Sequence, residues 1–196
     1  MRPRGARSKV IFRFCLSVFT LLVAGCAGGG GTAPVPVLAL FAGDMRGAGA
    51  VDGTGAASFN GPLSVATDSA GNVYVFDAFN ETIRKITPAG VVTTLAGTAG
   101  VAGSTDGTGA AARFRFPIAV TTDSTGNVYV ADWGNSTIRK ITPAGMVSTV
   151  VGVAGQASFV PSALPGRIAF PVGVAVSGTS LYITLHNGVA VVQNRP

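Results

Sequence analysis

The chain has 196 residues, 28 of them glycine, and only 11% are charged. That balance excludes long charged helices and suits many short strands joined by tight turns. The formal net charge of +6 is concentrated at one end. Arg2, Arg4, Arg7, Lys9 and Arg13 all lie in the first thirteen residues, and the remainder is close to neutral. This excludes a basic stripe for nucleic-acid phosphates.

In chain order, residues 1–25 read as a targeting segment. A cationic stretch leads into an apolar run over 14–23. The run is shorter than the roughly 20 apolar residues that a membrane span needs, and it suits the apolar region of a signal peptide removed on maturation. It ends in Leu22-Val23-Ala24-Gly25-Cys26. This resembles the lipobox of bacterial lipoproteins, in which the cysteine thiol is acylated. The alternative is an ordinary cleaved signal with a chance cysteine. Cleavage there removes Cys15, so no intrachain disulfide forms in the mature chain and stability rests on packing. With a lipid on Cys26, residues 26–36, rich in glycine, form a flexible tether. The expected location is the cell envelope. Ala27 directly after the cysteine points to the outer membrane or cell surface, and the lipid is the only membrane contact expected.

Residues 37–196 are governed by an internal repeat. Segment 63–97 aligns without gaps on 118–152, and most positions are identical. The shared text runs Asp-Ser-x-Gly-Asn-Val-Tyr-Val-x-Asp-x-x-Asn-x-Thr-Ile-Arg-Lys-Ile-Thr-Pro-Ala-Gly. Each copy predicts four strands; in the first they are A (63–67), B (73–76), C (82–86) and D (91–96). Gly71 ends a turn between A and B, and Pro88 with Gly90 marks the turn between C and D. Fragments flank the two copies. Residues 40–43 echo 94–97, and 170–176 with 181–183 echo the opening strands of a third copy. Four antiparallel strands per repeat predict a β-propeller blade, and the fold class is all-β. We expect about three blades, with residues 37–41 supplying the fourth strand of the last.

The Gly-Asn-Val-Tyr-Val-x-Asp motif followed by Ile-Arg-Lys-Ile-Thr-Pro resembles the NHL repeat. The resemblance implies a β-propeller, commonly six-bladed, that serves mostly as a platform for protein or ligand binding. Some similar propellers are enzymes, including a metal-dependent amidating lyase and lactonases, so a lyase- or lactonase-type enzyme is the alternative function. Three blades are too few to close a ring. Two copies of the chain would supply six, which predicts a homodimer; the competing expectation is an unstable, shortened arc.

Antiparallel order puts the B–C loops and the D–A connections on one face, the expected working surface. Phe79, Trp133 and His186 fall in the three B–C loops and are the candidate binding residues for a protein or small ligand. The competing reading packs them on the adjacent D–A loop. Arg113 and Arg115, in the second D–A connection, are candidates for an anionic group or else a solvated edge. Asp77, Asn80 and Arg84 recur as Asp132, Asn135 and Arg139. A set present in every full copy reads as structural, capping backbone groups and pairing locally. No catalytic residue, metal site or cofactor is assigned. His186 is the only histidine, short of the three or four ligands that zinc wants. Asp52-Gly53-Thr54-Gly55 and Asp106-Gly107-Thr108-Gly109 look superficially like calcium loops but lack a downstream bidentate glutamate; we read them as glycine-rich turns.

Overall fold

The computed structural model describes residues 38–45 and 47–194. Cys26, the targeting segment and the tether lie outside the described residues. The chain divides into Met1–Leu38 and Ala39–Pro196, and every strand described here belongs to the second unit.

Blade 1 contains β1 (Gly53–Thr54), β2 (Pro62–Thr67), β3 (Val73–Asp77), β4 (Thr82–Ile86) and β5 (Val91–Ala96), hydrogen-bonded in the order β1-β5-β4-β3-β2. Blade 2 repeats it with β6 (Gly107–Thr108), β7 (Ala119–Thr122), β8 (Val128–Asp132), β9 (Thr137–Ile141) and β10 (Met146–Val151). All pairings are antiparallel and the register repeats: Val75 faces Arg84 in blade 1 as Val130 faces Arg139 in blade 2. Blade 3 has three strands, β11 (Gly173–Ser177), β12 (Ser180–Leu185) and β13 (Gly188–Val192). The four expected strands of the first copy match β2 to β5 to within a residue at each end.

The sequence pattern explains the stacking. The central strands β3 and β8 read Val-Tyr-Val-Phe-Asp and Val-Tyr-Val-Ala-Asp, and β8 is buried along its whole length. The β8 run is apolar on both faces because a blade lies on each side; β3 has blade 2 on one side and a smaller core with Ala42, Ala57 and Phe59 on the other. One core joins Tyr74, Phe76 and Ile83 of blade 1 to Phe114, Val120 and Val128 of blade 2. A second joins Tyr129, Ala131 and Ile138 to Leu181 and Ile183 of blade 3. Each fully buried large apolar side chain contributes about 1.5–3 kcal/mol. The first strands of blades 1 and 2 also touch through polar atoms. Val120 N donates to Ser64 Oγ at 3.1 Å, and Thr122 Oγ1 donates to the Thr67 carbonyl at 2.6 Å.

Two expectations are corrected. Residues 38–41 form no strand and do not complete blade 3. They echo only the last residues of an outer strand, and those residues dock on blade 1 instead: a Cβ placed on Gly90 would lie 3.5 Å from the Phe41 carbonyl oxygen. The Asp-Gly-Thr-Gly segments are more than turns. Gly53–Thr54 pairs with Val91 and Val92, and Gly107–Thr108 pairs with Met146 and Val147, so each adds a two-residue fifth strand to its blade.

Candidate functional site: an aromatic ledge above a buried arginine clasp

The repeated polar residues come together below the loop face. Arg84 and Arg139 are fully buried. Arg84 donates from Nη1 to Asp77 Oδ2 at 2.9 Å and to the Ser58 carbonyl at 3.0 Å. From Nη2 it donates to Asp52 Oδ1 at 2.7 Å and to the Val51 carbonyl at 2.9 Å. Arg139 repeats this with Asp132 (3.1 Å), the Arg113 carbonyl (2.8 Å), Asp106 (2.6 Å) and the Thr105 carbonyl (3.0 Å). The two guanidinium groups lie over Phe59 and Phe114, 5.0 and 5.2 Å from the ring centroids. A planar fork with five donors suits such a node, where lysine would leave carbonyls unpaired.

The asparagines complete the clasp. Asn80 Nδ2 donates to Asp77 Oδ2 and to the Gly49 carbonyl, both at 2.7 Å. Asn135 does the same with Asp132 (2.8 Å) and Gly103 (2.6 Å). The second carboxylate oxygens accept backbone N–H groups, from Asn60 at 2.6 Å and Arg115 at 2.9 Å. Each clasp therefore ties the long connection that enters a blade to that blade's own third strand. Burial pushes the Asp132 carboxyl up to about 6, against the pull of Asn135, the Arg115 N–H and Arg139. Burial alone would also raise Asp52 and Asp106, but bonds from Thr94 and Thr149 and the paired arginines outweigh it and hold both below the usual carboxylate range.

Sequence alone named Arg84 and Arg139 but missed Asp52 and Asp106 as their partners. The signal was present: an aspartate opens both Asp-Gly-Thr-Gly segments, in step with the arginine it meets.

Above the clasps lies the loop face. Trp133 opens a one-turn 3₁₀ helix, Trp133–Asn135, and is 38% exposed. Its ring meets Phe116 edge-on with centroids 6.2 Å apart, and Phe170 tilted at 5.1 Å. Phe116 and Phe170 occupy the same repeat position and both have left-handed backbone, at φ 48° and 47°. That conformation costs a bulky residue on the order of 1–3 kcal/mol. The preceding blade holds each one in place. Phe116 N donates to the Glu81 carboxylate at 2.7 Å, and Phe170 N donates to Ser136 Oγ at 3.3 Å. Burial raises the Glu81 carboxyl, against the Phe116 bond and the charge of Arg115.

The structure distributes the expected binding residues differently from the loop alignment. In blade 1 the left-handed position is Gly61, at φ 67°, and a Cβ there would lie 2.6 Å from the Phe79 ring. Phe79 thus fills the space that an aromatic at position 61 would take, and it is 65% exposed. His186 is not in a 3₁₀ turn. The connection between β12 and β13 is a two-residue hairpin, with Leu185 facing Gly188. His186 lines an open cleft of about 350 Å³ with Phe159, Phe170 and Leu185. Phe170 belongs to both features, so a ledge of Phe116, Trp133 and Phe170 runs into that cleft.

Arg113 turns inward onto its own loop, donating to the carbonyls of Ala110 and Ala112. Arg115 is exposed beside Glu81. Among the described residues, no group of three or more His, Cys, Asp and Glu residues is placed to hold a metal ion.

Comparison with known proteins agrees with this picture. Residues 114–141 match the NHL repeat. Over 92 residues the chain is 39% identical to the protein SUPPRESSOR OF QUENCHING 1, chloroplastic, of Arabidopsis thaliana, covering 46% of this chain and 9% of the plant protein. A solved Bacteroides thetaiotaomicron protein of unknown function superposes with a TM-score of 0.55 at 29% identity, over 62% of this chain and 32% of that one. An auxiliary nutrient-binding protein of the same organism gives 0.53 at 20% identity, over 61% and 33%. The chain thus spans about a third of the length of these two structures. One segment, residues 114–141, thus carries the NHL-repeat match, and the chain's antiparallel sheets have a β-propeller fold.

Proposed function

We propose that the chain is a binding module of the cell envelope, attached through a lipid on Cys26, and that it takes its ligand on the ledge of Phe116, Trp133 and Phe170. The observation that carries this reading is the pair of left-handed phenylalanines. Packing alone gives no reason to hold two bulky rings, 41% and 42% exposed, in a strained backbone conformation. A binding surface does, because rigid exposed aromatics supply contact area at low entropic cost. The ledge has flat apolar faces and little charge. It suits a neutral ring, either a pyranose or an aromatic side chain of a peptide. Phe79, farther along the loop face, and His186, in the adjoining cleft, extend the surface. Arg115 and Glu81 flank Phe116 and offer polar contacts at its rim.

The likeness to a nutrient-binding protein at 20% identity concerns the fold; it is compatible with an extracytoplasmic binding role. The test is retention of the chain on immobilised oligosaccharides and aromatic peptides. Wild type is retained by one class and Phe170→Ala is not, while both give the same unfolding free energy to within about 1 kcal/mol. Equal retention of the two overturns the ledge. Detergent partitioning checks the anchor separately: Cys26→Ser moves to the aqueous phase while wild type does not.

A further inference from the structure

The two open ends of the arc are the two halves of an interface that the chain already uses internally. Where blade 2 meets blade 1 it presents Ala112, Phe114, Val120 and Val128, all buried. The same repeat positions in blade 1 are Ala57, Phe59, Val65 and Val73. Three of these gather into a smaller core, but Val65 is 64% exposed where Val120 is 7%. At the other end, Tyr182 and Val189 of blade 3 hold the positions of Tyr129 and Ile138. Those two are completely buried against blade 3, whereas Tyr182 and Val189 are 44% and 70% exposed.

Residues 41–43 already behave as part of a missing neighbour. The Phe41 carbonyl oxygen approaches Gly90 as that of Leu95 approaches Gly145, at 3.5 and 3.1 Å from the respective Cβ positions. Ala42 packs on the blade 1 core as Ala96 packs on the core between blades 1 and 2. Gly43, Gly97 and Gly152 share a positive φ of 106°, 95° and 89°. The segment therefore sits where the outer strand of a preceding blade would end. Blade 3 shows the complementary lack. Among the described residues β13 pairs only with β12. Along its free edge runs an open cleft of about 460 Å³, lined by Phe159, Leu164, Val189, Val191 and Gln193 among others.

We propose that a second copy of this chain closes both ends. The open face of blade 1 packs on the open face of the partner's blade 3, and segment 39–43 of each copy enters the cleft beside β13 of the other. Closed propellers have about four to eight blades, and two copies of the three blades described here supply six. A two-fold axis makes the two seams identical. The register follows from the repeat. Arg84 faces Thr94 and Arg139 faces Thr149, so Leu40 of one copy faces Ala190 of the other. The cleft beside β13 shares Phe159 and Val189 with the cleft at the end of the ledge, but the ledge rings Phe116, Trp133 and Phe170 do not line it.

Sedimentation equilibrium of the full chain in density-matched detergent tests the pairing. The expected protein mass is twice that of one mature chain. Val65→Glu and Val189→Glu, both at exposed positions, each reduce it to the single-chain mass with an unchanged far-UV circular dichroism spectrum. Leu40→Cys and Ala190→Cys chains, when mixed and oxidised, give a disulfide-linked dimer well above the level of either variant alone, because facing strand residues lie within disulfide reach. A wild-type monomer at micromolar concentration overturns the proposal, as does any mass other than two copies. A dimer that survives both glutamate substitutions overturns it too, because the contact then lies elsewhere.

Discussion

Blades 1 and 2 each carry a polar clasp as well as a packed core; blade 3 has a packed core without a clasp among the described residues. In the first two, Asp77 or Asp132, Asn80 or Asn135, and the buried arginine fix the loop that enters the blade. In blade 3 the arginine position is Ala190 and the aspartate position is Leu185. The B–C loop there is shorter, with no 3₁₀ turn. What survives is the apolar alternation of Gly-Val-Ala-Val-Ser, Ser-Leu-Tyr-Ile-Thr-Leu and Gly-Val-Ala-Val-Val. Period-two patterning suffices to build a blade. The clasp is a second device, which fixes where the long connections run and so where the aromatic ledge stands.

The largest effect comes from breaking the clasp. Arg84→Ala or Arg139→Ala leaves a fully buried aspartate without its cation and lowers stability by about 3–5 kcal/mol. Chemical denaturation measures it, and near-equal losses in the two blades are expected because the two networks superpose bond for bond. Leu181→Ala in blade 3, fully buried but clasp-free, costs about 2–4 kcal/mol by cavity formation alone. A loss there as large as that of both arginine variants combined would erase the distinction between the blades.

Acid sharpens the comparison with a smaller effect. Asp132 titrates near 6 in the folded protein, above its ordinary 3.8. It takes up its proton before the unfolded chain does, so its contribution to stability rises as pH falls from 6 towards 4. Asp52 and Asp106 are depressed. Their contribution is complete above the ordinary carboxylate value and fades as pH falls through their lower folded one. Both are about half exposed, so screening limits each to about 1 kcal/mol. A denaturation series from pH 6 down to 2 shows the loss confined to the acid end. Asp52→Asn combined with Asp106→Asn flattens it.

The fold was legible because two near-identical copies fix the strand period, and glycine and proline mark the turns. Arg84 and Arg139 were legible as equivalent repeat positions for the same reason. Asp52 and Asp106 were missed because they stand 32 and 33 residues from their arginines, and the short β1–β5 and β6–β10 pairings that carry them there have no pattern of their own. The repeat aligns Phe116 with Phe170, but it did not mark them as a site, because the first copy carries Gly61 there and its ring is Phe79. His186 lies in the B–C connection where the alignment puts it, but an alignment of loops cannot show that this shorter one is a two-residue hairpin.

Trp133 is the only tryptophan in the chain and stands at the centre of the ledge, so its fluorescence reports directly on the proposed site. Titration of the full chain with whichever ligand class it retains gives a saturable change in Trp133 emission, and Phe170→Ala, which removes the ring 5.1 Å away, weakens the apparent affinity about tenfold or more, equivalent to roughly 1.4 kcal/mol. Ligand binding that leaves Trp133 emission unchanged, or that is indifferent to the loss of Phe170, contradicts the account.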